Sequence, residues 1–196
     1  MEYKIILASN SPRRKELLSG LGIEYIVRTL PDIDESYPSG LQGGDIPLFI
    51  AREKAAANRA LIADDELIIT ADTIVWLNGE VLGKPVDNED ACAMLRKLSG
   101  RQHQVYTGVC LTTTEWQRSF SCMTDVSFAE LTEKEIRFYV EKYRPLDKAG
   151  SYGVQEWIGY IGCTGLQGSF FNVMGLPVQR LYKELKEIPG IKGITL

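Results

Sequence analysis

The chain has little of what zinc and thiol redox chemistry usually require. It contains one histidine, His103, and four widely spaced cysteines, Cys92, Cys110, Cys122 and Cys163, with no Cys-x-x-Cys among them. That spacing argues against a zinc site, and the apolar surroundings of each cysteine suit reduced, buried thiols. No apolar run approaches the roughly 20 residues of a membrane span. Positive charge is in deficit, 22 Lys and Arg against 26 Asp and Glu. A nucleic-acid binder needs a basic face to displace counterions, so any anionic partner is expected to be small. Nothing matches Gly-x4-Gly-Lys-Ser/Thr, and Gly159, Gly162 and Gly165 do not form a dinucleotide fingerprint, which sets aside P-loop kinases and dehydrogenases. Met1-Glu2-Tyr3-Lys4 leads straight into apolar residues, with no charged leader, long apolar segment and cleavage site, so a cytoplasmic protein is expected. There is no internal repeat, low-complexity tract or linker, and 196 residues suit one large domain or two small lobes.

What is present starts at Ser9-Asn10-Ser11-Pro12-Arg13-Arg14, between the strand-like run Ile5-Ile6-Leu7 and the helical stretch from Lys15. Ser11 reads as an N-cap and Pro12 as the first helical residue, where its missing N–H costs nothing. A helix N-terminus with two arginines in its first turn is suited to phosphate, and the other reading leaves both arginines in water. Cations there oppose the helix dipole by about 0.3–1 kcal/mol each, so without ligand, neutralising either is expected to be neutral or stabilising.

A short strand, Tyr25-Ile26-Val27, precedes a loop carrying Asp32, Asp34 and Glu35 and broken by Pro38, Gly40, Gly43 and Gly44, either a mobile lid or a solvated loop. From Pro47 to about Ile62 an alanine-rich helix is expected, with Lys54 sharing a face with Ile50, Ala57 and Leu61. A lysine in an apolar stripe either snorkels or binds an anion. Leu67–Ala71 reads as a central strand ending at Asp72-Thr73, which places Asp72 at a junction between strands; Asn78-Gly79 then signals a type I′ hairpin between 74–77 and 80–82. Gly83-Lys84-Pro85 follows the hairpin.

A helix from Asp87 or Asn88 to Leu98, strands over 102–111 and 120–128, and a helix opened by a Thr132/Glu135 capping box complete the middle of the chain. His103 has no catalytic partner at a recognisable spacing and reads as structural, general base being the alternative. A strand is expected ahead of Gly175, and a last helix is anchored by Leu181 and Leu185. The cations Arg13, Arg14, Lys54 and Lys84, with the acids Glu35 and Asp72, suit phosphoanhydride hydrolysis, in which a divalent ion screens phosphates and a carboxylate activates water.

Six stretches in order resemble the Maf family of nucleoside triphosphate pyrophosphatases: Leu7-Ala8-Ser9-x-Ser11-Pro12-Arg13-Arg14, Ala71-Asp72-Thr73-Ile74-Val75, Gly83-Lys84-Pro85, Leu98-Ser99-Gly100-x-x-His103-x-Val105-Tyr106-Thr107, Asp147-Lys148-Ala149-Gly150-x-Tyr152-Gly153-x-Gln155 and Gly175-Leu176-Pro177. The resemblance implies one α/β domain over 1–196, with a long mixed β-sheet flanked by helices in two lobes, like that of the inosine triphosphate pyrophosphatases (Maf/Ham1-like). It implies cleavage between the α and β phosphates, assistance by Mg²⁺ or Mn²⁺ held at Glu35 and Asp72, and a homodimer. Asp72 resembles the proton acceptor, Arg13, Thr73 and Gln155 the specificity positions, and Ser9, Arg14, Glu35, Lys54 and Lys84 other substrate-binding residues. Gln155 resembles the dTTP/UTP branch; its amide offers a donor and an acceptor to a pyrimidine edge. The chain departs from the pattern beside this segment, with Arg144-Pro145-Leu146 before Asp147 and Glu156-Trp157 after Gln155, where glycine is common. A nucleotide-binding regulator of septum formation is the alternative that the family implies.

Overall fold

The structure is a computed structural model and describes residues 2–191. In chain order the elements are β1 (Lys4–Leu7), α1 (Pro12–Ser19), β2 (Tyr25–Val27), α2 (Asp45–Asn58), β3 (Glu66–Leu77), β4 (Glu80–Leu82), α3 (Asn88–Leu98), β5 (Gln102–Thr112), β6 (Gln117–Phe128), α4 (Glu133–Tyr143), α5 (Trp157–Gly162), β7 (Cys163–Gln167), α6 (Phe170–Met174) and α7 (Val178–Lys186). The strands form one seven-stranded sheet in the order β2-β1-β3-β5-β6-β7, with β4 also on β3. It is a mixed sheet: β1 runs parallel to β2 and β3, whereas β4 is antiparallel to β3 and β7 to β6. The expected α/β class with a mixed sheet is therefore present. Among the described residues no helix is long and apolar enough to cross a membrane.

The chain gathers into two compact units. The first comprises the described residues up to Asp72, Thr107–Cys122 and those from Gly175 on; the second comprises Thr73–Tyr106 and Met123–Met174. In the first, Ile5, Ile6 and Leu7 are buried, and Ile6 packs with Ile62 and Ile68. Ala51 and Ala55 of α2 pack on Cys110 of β5. The helix start comes so near this strand that a Cβ on Gly108 would lie 2.4 Å from the Pro47 carbonyl, so only glycine fits there.

Two expectations for this unit change. The buried face of α2 carries Ile46, Pro47, Ile50, Ala51, Ala55 and Asn58, while Ala57 and Leu61 are exposed. The α-helix stops at Asn58 because Arg59–Leu61 tighten into a 3₁₀ turn and Ile62 becomes extended, which delivers Ile62 to the cluster around Ile6. Second, β3 runs unbroken from Glu66 to Leu77, so Asp72 lies inside a strand and not at a junction. What ends there is its parallel neighbour: β1 pairs with β3 only as far as Leu7↔Ile69, with the Ala8 N–H donating to Ile69 O at 2.9 Å. Asp72 thus sits just past the carboxyl end of β1, so the strand-end rule applies to the neighbouring strand.

In the second unit, Asn78 (φ 51°) and Gly79 (φ 87°) make the expected turn between β3 and β4. Asp87 caps α3, and Thr132 with Glu135 forms the full capping box of α4. His103 is buried against the rings of Phe128 and Tyr152, its Nε2 lies 2.7 Å from the Tyr152 hydroxyl, and burial pushes its pKa down to about 4. It is an uncharged packing residue, as one of the two readings had it. The strand expected ahead of Gly175 is instead the short helix α6. Ser169 Oγ accepts the Asn172 N–H at 3.2 Å, and the Asn172 amide donates to Val105 O at 3.1 Å and Thr124 Oγ1 at 3.0 Å, so hydroxyl and amide bonds override the apolar pattern. All four cysteines are free, Cys92 and Cys110 buried and Cys122 and Cys163 partly so.

Candidate active site

The first unit assembles its polar group where β1 stops. Ser9 is buried, and its hydroxyl accepts the Ser11 N–H at 3.2 Å, fixing the approach to α1. Ser11 in turn accepts the Arg14 N–H, with Pro12 in the first helical turn, as the cap signals require. Alternation along β3 puts Thr70 and Asp72 on one face of the sheet. Thr70 Oγ1 donates to Ala51 O of α2 at 2.7 Å, which shows that this face meets α2. One helical step further along α2 stands Lys54, and two residues further along β3 stands Asp72. Their head groups meet: Lys54 Nζ lies 2.8 Å from Asp72 Oδ1 and 2.8 Å from Glu35 Oε1.

The Lys54 and Asp72 side chains each keep only 13% of their exposure, and Glu35 keeps 48%. Lys54 therefore does not snorkel to bulk water; it is the hub of two carboxylates. An ammonium removed from water needs such partners, because an unpaired buried charge is costly. Glu35 comes from the long loop between β2 and α2, so the pairing orders that loop at its acidic residue. Among the described residues no group of three or more His, Cys, Asp and Glu side chains gathers to hold a metal.

The two arginines divide. Consecutive helical residues point about 100° apart, so both cannot face one ligand equally. Arg14 turns inward: its Nε donates to Gly175 O at 2.8 Å and its Nη1 to Ala71 O at 2.9 Å. Burial pushes its pKa down, Asp72 and Glu35 pull it up, and Arg13 pushes it further down. The guanidinium thus supplies fixed positive charge one residue from Asp72 along β3, while clamping the backbone at Ala71 and Gly175. The reading that leaves both arginines in water is corrected for Arg14 on this ground. Arg13 remains partly exposed in the first turn of α1.

The second unit holds Thr73, Lys84 and Gln155. Gly150 (φ 66°) presses on β3 so closely that a Cβ would meet Val75 Cγ2 at 2.8 Å, and its N–H donates to Gly83 O at 3.0 Å. These two contacts lay the 147–155 segment beside the strand of Thr73 and the loop of Lys84. Lys84 is exposed and Thr73 half-buried. Gln155 Oε1 is buried and has no hydrogen-bond partner. An unsatisfied buried acceptor costs about 1–3 kcal/mol, which an N–H brought to it would relieve. Sequence reasoning missed three residues around it: Tyr139, Lys148 and Glu156. Lys148 is buried with its Nζ 3.2 Å from Glu156 Oε1, and the wholly buried Tyr139 donates its hydroxyl to Glu156 Oε2. The hints to this in the sequence are the position of Lys148 within a motif and the departure from the family pattern at Glu156.

The fold is thus a mixed α/β sheet with acids and cations gathered at a strand end. The family profile described as "Maf-like protein" matches residues 4–188, and the chain belongs to this family. It is 67% identical over 186 residues to a Bacteroides fragilis protein named dTTP/UTP pyrophosphatase, covering 95% of this chain and 96% of that protein. A protein of the same name from Parabacteroides distasonis is 59% identical over 185 residues, 94% of this chain and 96% of its own length. Another from Flavobacterium psychrophilum is 47% identical over 179 residues, 91% of each. Among solved structures, a HAM1 protein from Coxiella burnetii aligns with a TM-score of 0.51 at 15% identity, covering 95% of this chain and 100% of that one, a likeness of fold alone.

Proposed function

We propose that the chain is a nucleoside triphosphate pyrophosphatase that converts dTTP and UTP to the monophosphate and pyrophosphate. The observation that carries this reading is the Asp72–Lys54–Glu35 group at the end of β1, with Arg14 anchored next to it. The names of the relatives, at identities up to 67%, support the substrate class. In the first unit, Asp72 takes a proton from water as its oxygen bonds to the α-phosphorus. The bond from that phosphorus to the bridging oxygen breaks, and pyrophosphate leaves with the electron pair. Arg13 and Lys54 bind phosphate oxygens, Arg14 adds fixed charge, and Ser9 shapes the approach to the helix N-terminus. Thr73, Lys84 and Gln155 are the substrate contacts of the second unit, and the bare Gln155 oxygen suits the imide N–H of uracil or thymine.

A divalent cation belongs to the same proposal. Glu35 and Asp72 already bring two carboxylate oxygens to one cation, the Lys54 ammonium. Two carboxylates without a closed protein cage suit Mg²⁺, which keeps waters and substrate phosphates in its shell. When bound, such an ion screens the phosphate charge. The homodimer implied by the resemblance is also kept as a proposal, supported by the exposed aromatic side chains of Tyr160, Phe170 and Phe171. The regulator without catalysis is not favoured, since the relatives are named for hydrolysis.

The test is phosphate release coupled to inorganic pyrophosphatase, across canonical triphosphates and 7-methyl-GTP, with Mg²⁺ and Mn²⁺. dTTP and UTP are expected to give the highest kcat/KM. GTP or 7-methyl-GTP in first place would remove the pyrimidine assignment, and no turnover of any triphosphate would remove the enzyme.

A further inference from the structure

Residues 153–156 form a turn closed by the Glu156 N–H donating to Gly153 O at 2.9 Å. One phenol holds both ends of it. The Tyr139 oxygen accepts the Gly153 N–H at 3.0 Å, and its proton goes to Glu156 Oε2. The other carboxylate oxygen, Glu156 Oε1, faces Lys148 Nζ at 3.2 Å, and Lys148 also meets Asp147 at 2.8 Å. Gln155 lies inside the turn. The Gln155 and Glu156 side chains pass close over Gly153, for the Glu156 carboxyl carbon and the Gln155 amide nitrogen lie 2.9 and 3.1 Å from where a Cβ on Gly153 would be.

We propose that Tyr139, Lys148 and Glu156 are positioning residues that set base selectivity by holding the Gln155 amide oxygen toward the substrate. The proposal rests on the reading of the chain as a pyrimidine triphosphate pyrophosphatase. Two features point beyond ordinary packing. A largely desolvated ion pair is a poor source of stability compared with apolar side chains of the same volume; Lys148 and Glu156 keep only 10% and 20% of their side-chain exposure, yet their pair clasps the turn that bears the amide of Gln155. The amide oxygen itself stays without a partner, a state that relaxes as soon as the turn can rotate. Freed, Gln155 would turn its amide to water or to a neighbouring backbone group and lose its preference for a ligand N–H. A site built around a buried acceptor rejects ligands that lack the matching donor far more strongly than an apolar pocket rejects a change in size.

The experiment compares UTP with N3-methyl-UTP, which lacks the imide N–H, for the wild type, Tyr139→Phe, Glu156→Gln and Glu156→Ala, with a thermal melt of each. The wild type is expected to favour UTP at least about 100-fold in kcat/KM. Tyr139→Phe and Glu156→Ala are expected to raise KM for UTP at least fivefold, to change kcat less than threefold and to cut the UTP preference at least tenfold. Glu156→Gln keeps an acceptor for the Tyr139 hydroxyl and is expected to fall between. If both full-loss variants melt lower but keep the wild-type KM and preference, the three residues are structural and the proposal is overturned. Tyr139→Phe keeps the buried volume, so it reports even if Glu156→Ala does not fold. A wild type that hydrolyses triphosphates without discriminating against N3-methyl-UTP also overturns it, whereas a wild type that hydrolyses none overturns the functional reading and this proposal together.

Discussion

Asp72→Asn is expected to lower kcat by about 10²- to 10⁴-fold, the usual contribution of a positioned general base. The substitution is nearly isosteric, and the amide oxygen can still accept from Lys54 Nζ, which keeps Glu35 as its second partner at 2.8 Å. The melting temperature should therefore move far less than the rate. The amide cannot take a proton from water and holds a divalent cation poorly, so both of the roles proposed for the carboxylate are lost together. Steady-state kinetics with UTP and a melt on the same sample check this. A variant that keeps more than roughly a third of wild-type kcat would remove Asp72 from the role, since even the low end of the general-base range exceeds that change.

Arg14→Gln is expected to destabilise the ligand-free protein by about 2–4 kcal/mol, a reversal of what the helix dipole alone dictates. Relief of charge at the N-terminus of α1 gives back at most about 1 kcal/mol. Against it stand two hydrogen bonds from a charged donor, to Gly175 O at 2.8 Å and Ala71 O at 2.9 Å, each typically worth about 1.5–3 kcal/mol. Glutamine is too short to reach two carbonyls with a planar fork, so at least one is left without its donor. The local opposition of charge and dipole is real, but the long-range bonds outweigh it. Chemical denaturation of the ligand-free protein decides between the two; a variant as stable as the wild type, or more so, would return Arg14 to a solvent-facing role.

Arg14 also shows where sequence reading stops. The cap made by Ser11 and Pro12, the left-handed pair Asn78-Gly79 and the Thr132/Glu135 box are all local chemistry, resolved within a few residues, and each is found where its residues predict. The Gly175 carbonyl that receives Arg14 lies 161 residues away, and no spacing rule reaches it. Asp72 was misplaced for a related reason. The polar pair Asp72-Thr73 interrupts an apolar run, but a strand's backbone ladder continues whatever its side chains are, and what stops short of Asp72 is the pairing with β1. Lys54 stands out in the sequence as a cation in an apolar stripe. Its partners could not be read, because one comes from a strand and the other from an irregular loop. Glu156 stood out only as a departure from the family pattern, and its meaning depends on Tyr139 of another helix.

The bond that is cut tests the functional reading most directly. Hydrolysis of UTP by the wild type in ¹⁸O-labelled water, followed by ³¹P NMR, is predicted to give UMP carrying the label and unlabelled pyrophosphate. UDP and orthophosphate as the products would contradict it.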